Sequence, residues 1–146
     1  MTEVSNENRF ARRLDGRFEG ILRWQDLDAL WARIRDSDRP WYFYQVGSAL
    51  PDQAIEGNSL NEALAELDAL LHQDHDHDYC GIVYADDPAR PTLVKVYDPN
   101  NLGSSCGSSG QRIPPRWILS LEAPEEVVDE APMPGNRRRW WQKLFG

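Results

Sequence analysis

With 146 residues, 16.8 kDa and 40% hydrophobic residues, the chain can enclose one ordinary core and little more. Acidic residues outnumber basic ones 24 to 16, and the formal charge of −8 argues against a body that grips nucleic acid through its phosphates. The apolar runs fall well short of the roughly 20 residues that span a bilayer, which excludes a spanning segment.

Residues 1–16 are polar and read as a flexible N-terminal arm without the apolar stretch of a secretory signal, so a cytoplasmic location is expected. Residues 17–24 alternate imperfectly as a first strand, with Phe18, Gly20, Leu22 and Trp24 on one side. Leu27, Leu30, Trp31 and Ile34 then recur at helical spacing, and Pro40 disfavours helical geometry at the residue before it, so that helix should end near Asp38. The run Trp41-Tyr42-Phe43-Tyr44-Gln45-Val46 has the length and composition of an inner strand, ended by Gly47. A second helix is predicted from a capping box, Ser59 with Glu62, followed by the stripe Leu60, Ala63, Leu64, Leu67 and Leu71. Three strands follow, over 79–84, 92–97 and 117–121, the first two joined by an Asp86-Asp87-Pro88 turn.

The order β-α-β-α-β-β-β predicts a small α+β domain over 17–121, with a mixed sheet and both helices on one face. Residues 122–136 are acidic and contain three prolines, the composition of a disordered linker. Residues 137–146 form a basic, aromatic tail. Charge divides the same way: residues 1–17 carry +1, residues 18–136 carry −13 and residues 137–146 carry +4.

Three groups of residues bear on function. His72, His75 and His77, interleaved with acids, offer imidazole and carboxylate ligands for a divalent transition metal, while the plainer reading is a solvated helix C-terminus. The aperiodic loop over 98–115 contains Cys106 and Arg112 at the spacing of a phosphate-holding thiol loop, and its glycines allow an anion nest. However, Ile113-Pro114-Pro115 cannot open the helix such a loop requires, and the likeness ends at spacing. Cys106 with His77 would make a thiol and base pair only if the fold brought them together, and Cys80 reads as core.

The tail is the third group. On a helix, Trp140, Trp141, Leu144 and Phe145 share one apolar face, with Arg137, Arg138, Arg139 and Lys143 around it. Such a segment orders on a partner groove or an anionic membrane surface; alternatively, it folds back onto its own acidic body. The leading reading is a non-catalytic accessory or adaptor protein that binds a protein partner through body and tail, without nucleic acid and without a required cofactor. Two alternatives stand beside it: a metal-handling protein using the His cluster, and a small enzyme using Cys106 in the 98–115 loop.

Overall fold

A computed structural model describes residues 9–99, 114–127 and 134–145. The elements run α1 (Arg9–Leu14), β1 (Glu19–Ile21), α2 (Trp24–Asp36), β2 (Tyr42–Gln45), α3 (Gly57–Asp74), β3 (Val83–Ala85), β4 (Leu93–Val96), β5 (Trp117–Ser120) and α4 (Gly135–Phe145). The chain is an α+β domain built on one five-stranded sheet in the order β1-β3-β4-β5-β2.

Among the described residues all four neighbouring pairs are antiparallel, so the mixed sheet expected from the β-α-β order is not found there. The reason is topological. β1 and β2 do run the same way, but the β3-β4-β5 meander separates them and leaves them at opposite edges. The aromatic run therefore supplies an edge strand rather than an inner one, and Trp41 extends it by exchanging two backbone hydrogen bonds of 2.8 Å with Ile55.

Strand alternation sorts the core onto two faces. Phe43, Trp117, Leu119, Val94, Val96, Val83 and Ile21 point to one face and meet the stripes of α2 (Leu27, Leu30, Trp31, Ile34) and α3 (Leu60, Ala63, Leu64, Leu67, Leu71). Tyr44, Val46, Leu93 and Ile118 point to the other face and meet Phe10 and Leu14 of α1, with Phe18 and Val127 at the margin. Helices thus cover both faces, three on one and α1 on the other, where two on a single face were expected. The aromatic strand is packing on both sides.

Two local expectations also change. Residues 9–14, read as part of a flexible arm, are helical because Phe10 and Leu14 find the second sheet face and Arg13 pairs with Asp86 and Glu122. α3 begins two residues before Ser59, after an extended Glu56 and with Gly57 at φ +61°, so Ser59 lies exposed inside the helix and the capping box is not formed. The Asp86 turn is as expected: its carboxylate accepts from the backbone N–H groups of Asp87, Thr92 and Leu93 and from the Thr92 hydroxyl.

Candidate functional site: the seam between body and C-terminal helix

α4 has eleven residues, too few to be helical alone in water, and its order comes from the body it rests on. Arg137 is the centre of that contact. Only 3% exposed, it lies in the first turn of α4 and donates from Nε and Nη2 to the two carboxylate oxygens of Asp98, just past the end of β4, at 3.0 and 2.8 Å. Its Nη1 reaches Asp74, the last residue of α3, at 2.8 Å. The planar fork matches the Asp98 carboxylate, an arrangement that lysine cannot reproduce. Burial works against the Arg137 charge, but hydrogen bonds and attraction from Asp98 and Asp74 outweigh it and hold the guanidinium's pKa above its ordinary value.

The surrounding polar groups are matched to the same end. Gln45, wholly buried on β2, accepts from Trp117 Nε1 at 2.8 Å and donates to the Arg137 carbonyl at 3.4 Å. Arg116, also buried, donates to the Val46 carbonyl at 2.7 Å and lies 3.7 Å from Asp98. Asp98 therefore stands between two guanidinium groups, Arg116 just before β5 and Arg137 in α4.

Beside this clasp the apolar face of α4 meets aromatic core. Trp140 stands edge-on to Trp117 at 5.8 Å between ring centroids, while Trp141 and Phe145 each lie 5.6 Å from Phe43. Trp140, Trp141 and Leu144 pack against the main core, whereas Arg138, Arg139 and Lys143 remain exposed. Of the two arrangements open to the tail, the fold-back onto the body is the one seen here. The expected linker is likewise partly engaged. Glu122 pairs with Arg9 and Arg13, and the Val127 N–H donates to the Tyr44 hydroxyl at 3.2 Å. Residues 128–133 lie outside the described residues.

A groove separates α4 from α3. Its wider part, about 490 Å³, lies between Glu62, Ala65 and Glu66 of α3 and Trp140, Lys143 and Leu144 of α4. It continues past Glu66 and Trp140 as a narrower part of about 290 Å³ that ends where Arg137 meets Asp74. The two helices are antiparallel along it, because the start of α3 faces the end of α4. The pairing of Asp98 with Arg137 spans 39 residues, so only the total charge of the segments hinted at this seam.

The three histidines stand in a different cluster at the end of α3. His72 stacks on Trp24 at 4.1 Å and lies 3.5 Å from Asp68; Trp24 in turn meets the edge of His75 at 6.0 Å. His75 is edge-on to His77 at 4.6 Å, and His77 stacks on Tyr79 at 5.5 Å. His75, buried, has Nε2 at 2.7 Å from the Cys80 carbonyl, which accepts only if that nitrogen carries the proton. The imidazoles are thus brought together as rings in an aromatic stack, and among the described residues no group of three His, Cys, Asp or Glu side chains is set to hold a metal ion. Cys80 is buried, as expected of a core thiol, and that burial pushes its pKa up. Cys106 and Arg112 lie outside the described residues. Among the described helices, none is long and apolar enough to cross a membrane. No protein family, curated protein or solved structure matches this chain.

Proposed function

We propose that this protein is a non-catalytic accessory protein, which binds a protein partner across a surface shared by its α+β body and its basic, aromatic C-terminal helix. The observation that supports this reading is the docked position of α4: Trp140, Lys143 and Leu144 form one wall of a groove whose other wall is α3. Body and tail then present one continuous surface rather than two separate contacts. A protein partner is favoured over an anionic membrane because Trp141, which would have to enter the lipid, is packed against Phe43 and the main core.

The test is site-specific photo-crosslinking in cells that make the full chain. A photoreactive residue at Lys143 or at Glu66 should capture one and the same polypeptide, while the same group at Arg90, in the exposed turn between β3 and β4, should not. Arg137→Ala, which loosens α4, should remove the product at Lys143. Capture at the groove no stronger than at Arg90 would overturn the proposal.

A further inference from the structure

The groove between α3 and α4 has walls of unlike character. Glu62, Ala65, Glu66 and Ala69 recur at i, i+3, i+4 and i+7 on α3, so they share the helix face opposite its buried leucines. The two alanines leave shallow apolar ground, and the two glutamates, both exposed, stand beside it. Across the gap, Trp140 and Leu144 recur at i and i+4 and offer half-buried apolar surface, with the exposed Lys143 beside them. From Glu62 to Asp74 the α3 wall is about 18 Å long, which is a little over three helical turns.

This surface limits what can lie on it. Both walls are helices, whose backbone groups bond internally, so an extended peptide would find no row of main-chain partners here. A helix brings its own backbone bonds and needs only a row of side chains to fill the gap. The sign of the charge toward α3 follows from Glu62 and Glu66, while Lys143 lines the α4 side, so the basic residues of an occupant belong on the side that faces α3. The body already holds one helix of this kind: α4 is itself basic, with an aromatic face.

On the reading that the chain binds a protein partner, we infer that this groove takes a basic amphipathic helix of about three turns from that partner. Its apolar side chains lie over Ala65, Ala69, Trp140 and Leu144, and its lysines or arginines face Glu62 and Glu66.

The full chain should be titrated into a fluorescein-labelled helical peptide of about 14 residues, with leucines on one face and lysines flanking them. Two control peptides carry glutamate in place of lysine, or the same composition scrambled so that the leucines no longer share a face. The expected result is a Kd on the order of 10 μM for the first peptide and binding at least about tenfold weaker for both controls. Glu62→Lys with Glu66→Lys should weaken the first peptide at least about tenfold, whereas Asp26→Lys with Asp28→Lys, an equal change of charge on α2, should change it less than about threefold. Ala65→Arg, an exposed substitution that fills the groove, is the second variant and should also weaken binding at least about tenfold. Equal losses in the α3 and α2 double variants, or equal binding of the scrambled peptide, would reduce the effect to general attraction and overturn the inference. So would light scattering that shows a dimer of this chain which the peptide cannot dissociate, since a second copy would then fill the groove. Crosslinking of a partner at Lys143 together with failure of the peptide would leave the protein-binding proposal standing and remove only this assignment.

Discussion

Arg137 illustrates how a single side chain joins two parts of this protein. A guanidinium this deeply buried is tolerated only because Asp98 and Asp74 complete its hydrogen bonds, and truncation would leave Asp98 under-compensated in a dry site. Arg137→Ala is expected to lower the unfolding free energy by about 3 kcal/mol, and Arg137→Lys by an intermediate amount because the fork is lost. Urea unfolding reads both, and a loss within about 0.5 kcal/mol for the alanine variant would show that the clasp does not hold the helix. Cys80 and Tyr44 give a second residue-level prediction. Burial raises the pKa of both, so the folded state holds these protons more tightly than the unfolded chain does. Their stabilisation is complete below the unfolded thiol and phenol pKa values, near 8.5 and 10, and is lost as pH rises through the folded values. The melting temperature should therefore fall between about pH 8 and 10.5. In Cys80→Ala the decline over the thiol range should be shallower, and identical slopes would contradict the assignment.

At the level of elements, α4 packs at the margin of a core that α2, α3 and the strands already share. A chain ending at Val127 would lose the cover over Phe43 and Trp117 and would leave Asp98 with Arg116 alone among the guanidinium groups now around it. It should still unfold cooperatively, because α2, α3 and the five strands share one core, but at a lower temperature and with increased binding of a hydrophobic dye. The double variant Trp140→Ala with Trp141→Ala should lower the melting temperature by several degrees, on the scale of about 4 °C per kcal/mol or a little less for a domain of this size. An unchanged melting temperature would mean that the aromatic face of α4 does not contribute to the fold. The expected tail helix and its apolar face were both legible in residues 137–146; the surface it rests on was not, because helical periodicity says which residues share a face and is silent about what that face meets.

Across the whole molecule, stability should be graded from the centre of the sheet outward. β4 is paired on both sides and covered on both faces, whereas α4 touches the body along one side only. Hydrogen exchange should be slowest at the amides of β4 and fastest, among the helices of the main core face, in α4. Arg137→Ala should abolish protection in α4 while leaving β4 protected, and simultaneous loss in both would show a single cooperative unit instead.

The stripes of α2 and α3, the existence of the five strands and the Asp86 turn are local properties. Each rests on spacing within about one helical turn or a few residues, so the amino-acid sequence alone determined them. The same is true of the contrast between an acidic body and a basic end. Which strands pair, which face α1 covers and where α4 comes to rest depend on partners far apart in the chain, such as Asp98 with Arg137 or Glu19 with Ala85. The surroundings of the histidines were hidden for the same reason: Trp24, which stacks on His72 and meets the edge of His75, approaches them only in three dimensions. Tertiary structure decided these features because a buried charge or ring is stable only where another element supplies the missing bond or covering surface, and no window of sequence contains both halves of such a contact.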